Sequence, residues 1–159
     1  MQQRDLLAEE ASVVRRGRRG RHRVSGPGRV RAVVCDDHDL FRRGVVEMLS
    51  VAGDIEVVGE AATHDEAAAV VRERNPDVVL LDLEMPGSAM GADESMGRML
   101  GLSPPPSVVV FTMHDEPGMV RRFLGRGATA YFSKSAEMGE LVGAVRDAAR
   151  ARAVPRGRA

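Results

Sequence analysis

Two hydrophobic periods alternate along this chain. Val30-Arg31-Ala32-Val33-Val34-Cys35, Val78-Val79-Leu80-Leu81 and Ser107-Val108-Val109-Val110-Phe111 are short apolar runs rich in Val, the pattern of strands covered on both faces. Ile55-Glu56-Val57-Val58-Gly59-Glu60 alternates, as an edge strand does, and Ala128-Thr129-Ala130-Tyr131-Phe132 is read as a fifth strand. Between them the period lengthens. Phe41, Val45, Met48, Leu49 and Ala52 form a helical stripe, Ala67, Val70 and Val71 a shorter one, and Val120, Phe123 and Leu124 a third opened by Pro117. Met138, Leu141, Val142, Val145 and Ala149 mark a last helix.

Strands alternating with helices predict βαβ units: an α/β fold with a five-stranded parallel sheet and helices on both faces. Right-handed crossovers place every strand's C-terminal end on one sheet edge. That edge collects Asp36, Asp37, Asp82, Thr112 and Lys134. In the strand order 2-1-3-4-5, the first and third strands are neighbours at the topological switch point where ligands bind, and those are the strands that end in carboxylates. Asp82 is the most exacting position. It closes a fully apolar strand, where an ionised carboxylate is costly to desolvate without a cation or donors, and Met85-Pro86-Gly87 then turns the chain away.

Three carboxylates at one edge cannot all stay ionised without a counter-charge. Oxygen-only ligands favour Mg²⁺ or Mn²⁺ over zinc. Thr112 and Lys134 supply a hydroxyl and an ammonium suited to phosphoryl oxygens, and a carboxylate beside a divalent ion can act as nucleophile. The constellation therefore predicts Mg²⁺-dependent phosphorylation of Asp82.

These residues resemble the receiver domain of bacterial two-component response regulators, from about Arg29 to Arg152. Val33-Val34-Cys35-Asp36-Asp37-His38, Ile55-Glu56-Val57-Val58-Gly59-Glu60-Ala61 and Asp77-Val78-Val79-Leu80-Leu81-Asp82-Leu83-Glu84-Met85-Pro86-Gly87 are most similar to the NarL/FixJ subgroup. The intervals agree too, with thirty residues from Asp82 to Thr112 and twenty-two from Thr112 to Lys134. The resemblance implies a flavodoxin-like receiver with Asp82 as phosphoacceptor. It implies that Asp37 and Asp82 bind the metal directly, Asp36 mostly through water, and Glu84 through its backbone carbonyl. Thr112 and Lys134 would grip the phosphoryl group, and Tyr131 would be the aromatic that moves with Thr112. The implied partners are a sensor histidine kinase and a downstream protein, or a second copy, met by the face of helix 4, strand 5 and helix 5. No turnover of an external substrate is expected.

Plainer roles exist for each residue. Asp36 and Asp37 can cap the first helix, Thr112 can be an ordinary strand residue, and Tyr131 can simply pack. Lys134 is the only lysine against twenty-two arginines, which argues for a specific use. Two alternatives to the switch stand beside it: a receiver-like binding module that works without phosphorylation, and a Mg²⁺-dependent phosphatase with Asp82 as nucleophile. Against the phosphatase, Glu84 stands where haloacid-dehalogenase-type enzymes need a second Asp.

The chain departs from the subgroup after Gly87. Ser88-Ala89-Met90-Gly91 makes the turn one residue longer, and only Met96, Met99 and Leu100 form a stripe, interrupted by Gly97. A weak or mobile third helix is expected there. Met113, after Thr112, is expected to shield the phosphoryl group from water.

Length and composition fit one domain: 159 residues, 43% apolar. No run reaches the length of a membrane helix and no secretory signal is seen, so a cytoplasmic protein is expected. The lone Cys35 reads as a small buried hydrophobe. His22, His38, His64 and His114 show no ligand spacing. Net charge is zero but uneven: residues 1–30 hold eight Arg against three acids, and the remainder is −5. Residues 1–28 are expected to be a basic, disordered extension, a solvated tail or a polyanion binder, if translation begins there at all. Residues 29–152 would be the receiver and 153–159 a short tail. The subgroup's helix-turn-helix domain is not found in the sequence, so direct DNA binding is not expected, and the chain reads as a stand-alone or truncated regulator.

Overall fold

The computed structural model describes residues 28–113 and 116–153. The basic extension except Gly28, His114 and residues 154–159 lie outside the described residues. Five strands and five helices alternate: β1 (Val30–Cys35), α1 (Asp39–Val51), β2 (Ile55–Ala61), α2 (His64–Arg74), β3 (Val78–Leu81), α3 (Ala92–Leu100), β4 (Ser107–Thr112), α4 (Pro117–Gly125), β5 (Ala130–Ser133) and α5 (Gly139–Ala153). The sheet is parallel in the order β2-β1-β3-β4-β5. This is the flavodoxin-like receiver fold.

The strand runs are apolar throughout because both faces of the sheet are covered. Val33, Cys35, Val79, Leu81, Val108 and Val110 meet Ala67, Val71, Met96, Met99 and Phe123 of α2, α3 and α4. The alternate residues Ala32, Val34, Leu80, Val109 and Phe111 meet Val45, Leu49, Leu141 and Val145 of α1 and α5. Each fully buried Leu or Val contributes about 1.5–3 kcal/mol relative to exposure. A one-residue slip of any central strand would exchange its two faces, so the register is strongly specified. That register aligns the strand ends: Cys35 lies opposite Leu81, Leu81 opposite Val110, and Thr112 opposite Ser133.

Local chemistry sets the element ends. Thr63 caps α2, its Oγ1 accepting from Glu66 N–H at 3.0 Å while Glu66 Oε1 accepts from Ala62 N–H at 2.8 Å. Asn75 closes the same helix at φ +50°, and Pro76 prevents its continuation. At the far end of the sheet from Asp82, Asp77 receives Arg31 N–H at 2.9 Å and Arg152 Nη1 at 2.5 Å, and Arg152 Nε donates to the Pro105 carbonyl at 2.9 Å. Arg146 makes a bidentate pair with Asp54 at 2.7 and 2.8 Å.

Three details differ from the sequence reading. β5 begins at Ala130, not Ala128, because Gly127 (φ +116°) and Ala128 still close the turn of α4, Ala128 N–H donating to the Phe123 carbonyl at 3.0 Å. Leu124 is 42% exposed, so Met119 and Phe123, not Leu124, turn α4 toward the core. α5 runs through Ala153, one residue beyond the expected receiver boundary. The segment expected to be a weak third helix is helical over nine residues with Met96 and Met99 buried, as the stripe implied.

Candidate functional site

The site is built from the ends of β1, β3, β4 and β5. Backbone hydrogen bonds carry each ladder one step past the last strand residue: Asp36 N–H donates to Ala61 O (2.9 Å), Asp82 N–H to Cys35 O (3.0 Å) and Lys134 N–H to Thr112 O (2.9 Å). The side chains that follow are therefore fixed by sheet geometry, not by mobile loops.

Asp36 and Asp82 are buried, Asp82 being only 5% exposed, while Asp37 faces solvent. One carboxylate oxygen from each of Asp36, Asp37 and Asp82 lies within 4.8 Å of the others. Lys134 reaches between them, its Nζ 2.6 Å from Asp36 Oδ2 and 3.0 Å from Asp82 Oδ2. The ammonium also sits 4.7 Å from the Phe41 ring centroid and 5.7 Å from that of Phe111, whose π-faces favour a cation. Asp36 Oδ1 accepts from His38 N–H at 2.9 Å, and Asp82 Oδ1 from Glu84 N–H at 3.3 Å. Arg42 braces the β1–α1 loop, donating to the Asp36 carbonyl at 2.6 Å and to Glu60 at 2.9 Å.

Burial lifts the Asp82 carboxyl above its ordinary range. The hydrogen bond and charge of Lys134 oppose that lift, and the charge of Asp36 adds to it. Burial alone would pull Lys134 down, but its hydrogen bonds to Asp36 and Asp82 reverse the effect and hold the ammonium above its ordinary value. Burial likewise pushes the Cys35 thiol far up, with Asp36 adding to the effect, which suits a packing residue and not a nucleophile. Three carboxylates and one ammonium leave two negative charges uncompensated. An all-oxygen pocket with that balance fits a hard divalent cation such as Mg²⁺.

Of the other residues singled out from sequence, Thr112 is fully buried at the end of β4, and Tyr131 on β5 packs partly into the α2–α4 side of the core. Glu84 is exposed and contributes its N–H to Asp82. His38 stacks on Phe41, the centroids 6.4 Å apart. Sequence reasoning missed Arg42, the Phe41 and Phe111 rings under Lys134, and His64. From sequence, Phe41 belongs to a helical stripe and Phe111 to a strand run, and nothing in their spacing distinguishes the ring that meets an ammonium.

Residues 32–146 match the response regulator receiver domain. The chain belongs to that family. It is 41% identical over 128 residues to the probable transcriptional regulatory protein NarL of Mycobacterium tuberculosis, a match covering 80% of this chain and 58% of the relative. It is 39% identical over 117 residues to the response regulator GacA of Pseudomonas syringae, covering 74% and 54%. This receiver chain thus spans little more than half the length of these relatives. The solved receiver domain of the Mycobacterium tuberculosis NarL response regulator superposes with a TM-score of 0.72 at 40% identity, covering 78% of this chain and 98% of that one. A LuxR-family two-component response regulator from Aurantimonas gives a TM-score of 0.72 at 30% identity, covering 79% and 88%. Among the described residues, no helix is long and apolar enough to cross a membrane.

Proposed function

We propose that this receiver is a phosphorylation switch in which Asp82 takes a phosphoryl group from a sensor histidine kinase. The observation that carries the reading is the meeting of Asp82 with Asp36, Asp37 and Lys134 at one sheet edge. An Asp82 carboxylate oxygen attacks phosphorus in line with the N–P bond of the donor's phosphohistidine. The O–P bond forms, the N–P bond breaks, and the imidazole nitrogen leaves with the electron pair and takes a proton from water. Asp36, Asp37, Asp82 and the Glu84 carbonyl would hold Mg²⁺, which supplies charge neutralisation for the transferring group. Lys134 follows the phosphoryl oxygens as a mobile point charge, and Thr112 offers its hydroxyl to them. The product carries about −1.5 to −2 charge where one carboxylate stood. Thr112 and Tyr131 lie on adjacent strands and give that charge a route to the α4–β5–α5 face, which serves as output surface toward a downstream protein or a second copy.

Intact mass after incubation with acetyl phosphate and Mg²⁺ tests the reading. One phosphoryl adduct is expected on wild type, absent from Asp82→Asn and absent when EDTA is present. No adduct on wild type would refute the switch and leave a binding module with a receiver's shape.

A further inference from the structure

His64 opens α2, is only 2% exposed, and takes no part in the chemistry above. Both ring nitrogens are engaged: Nδ1 lies 2.9 Å from Ser95 Oγ on α3, and Nε2 lies 3.1 Å from the Leu83 carbonyl oxygen. A carbonyl can only accept, so Nε2 carries the hydrogen; the Ser95 hydroxyl lies within reach of both Nδ1 and the Ala92 carbonyl oxygen, to which it donates at 3.2 Å. Leu83 directly follows Asp82. The peptide unit that carries the Leu83 carbonyl also carries the Glu84 N–H, the donor to Asp82 Oδ1 at 3.3 Å. In a planar trans peptide the oxygen and the hydrogen point in opposite directions, so holding one aims the other.

We propose that His64 is a positioning residue for the phosphoacceptor: by gripping the Leu83 carbonyl it aims the Glu84 N–H at Asp82 Oδ1. This rests on the reading of Asp82 as the phosphoryl acceptor. With Oδ1 held through the Glu84 amide and Oδ2 held by Lys134, rotation of the carboxylate is restrained from both sides. Orientation of this kind lowers the barrier to in-line attack. The neighbouring contacts serve the same loop. His64 N–H donates to Ser88 Oγ at 2.6 Å, and the Ser88 hydroxyl donates to the Met85 carbonyl at 2.7 Å. The Asp65 carboxylate accepts from the N–H groups of Ala89 (2.7 Å) and Met90 (3.2 Å). The longer turn after Gly87 is thereby stitched to the start of α2. Buried polar side chains cost free energy unless paired, and here His64 is paired through both ring nitrogens while Ser95 reaches His64 and the Ala92 carbonyl.

Two amides separate the possibilities in the full chain. The amide nitrogen of His64→Gln can take the place of Nε2 and donate to Leu83, whereas the shorter His64→Asn mimics Nδ1 and reaches only Ser95. In ¹⁵N-labelled protein without Mg²⁺, H64N is expected to shift the Glu84 amide proton upfield and speed its exchange, and H64Q to keep both near wild type. Phosphorylation by acetyl phosphate with Mg²⁺ should slow about threefold to tenfold in H64N, the range of one hydrogen bond, and recover in H64Q. Equal Glu84 signals and equal rates in the two variants overturn the proposal, as does a loss in H64N that H64Q does not restore, which would mark a packing role. If H64N fails to fold, His64→Leu, which keeps the volume, is read in the same way. If wild type takes no phosphoryl group, the switch reading fails while the Glu84 signal still decides the positioning.

Discussion

Asp82 works against the fold that holds it. Its carboxyl takes up a proton more readily in the folded chain than in the unfolded one, since burial lifts it above the ordinary range. The ionised form therefore costs stability at neutral pH, and that cost disappears as pH falls through the raised value. Asp82→Asn is expected to melt higher than wild type at pH 7 in EDTA, with the gap closing in acid; thermal melts of both proteins across pH 3–8 check it. Lys134 has the opposite dependence, its contribution being complete below the ordinary lysine value and lost only as pH rises through its higher folded value. Met113 is 62% exposed beside Thr112, so it is not a core residue. Met113→Ala should shorten the lifetime of phosphorylated Asp82 several-fold, read as loss of the mass adduct with time. That Asp36, Asp37, Asp82 and Lys134 meet at one sheet edge was legible in the sequence, because they stand at the C-terminal ends of strands whose apolar runs are easy to see. His64 was not, because its partners Leu83 and Ser95 stand nineteen and thirty-one residues away and only the fold brings them together.

At the scale of elements, α3 carries the sharpest tension between propensity and context. Gly97 weakens the helix by roughly 1 kcal/mol relative to Ala. Yet Met96 and Met99 are buried against the sheet, and Asp93 ties the helix to Arg122 of α4 and to Arg126 just past its end. A Cβ at Gly97 meets nothing within 4 Å, so Gly97→Ala should stabilise the protein by about 0.5–1 kcal/mol, measured by urea unfolding. Hydrogen exchange of α3 should remain faster than that of α5; equal protection would show that packing has overcome the glycine. The sequence misplaced the start of β5 for a related reason. Ala128 and Thr129 look like strand residues, but Gly127 sits at φ +116°, with a Cβ there 2.7 Å from Leu100 Cδ1, so the chain is still turning when the apolar pattern resumes.

For the whole molecule, strand order and helix placement were legible because the sheet is covered on both sides and its central strands admit one reading. What the sequence could not supply was the set of long-range ion pairs that fix the helices on it, since charged partners such as Asp54 and Arg146 leave no periodic trace. Arg152 belongs to that set. Its guanidinium neutralises buried Asp77, so Arg152→Ala should cost about 1–3 kcal/mol in urea unfolding by leaving that carboxylate poorly compensated.

The same contact determines how α5 can move. Asp77 and Asp82 flank β3, a strand about 13 Å long, so Arg152 is fastened at the end of the domain away from Asp82, while the start of α5 lies five residues past Lys134. Held chiefly through Arg152, since the mid-helix Arg146–Asp54 pair is exposed and weak, a helix about 22 Å long would act as a lever with its fulcrum near its last turn. A displacement of about 1 Å at the Lys134 end then becomes a tilt of roughly 3° rather than a slide, so a partner on α5 would read the state of Asp82 as a change of angle, largest beside Gly139 and smallest beside Arg152.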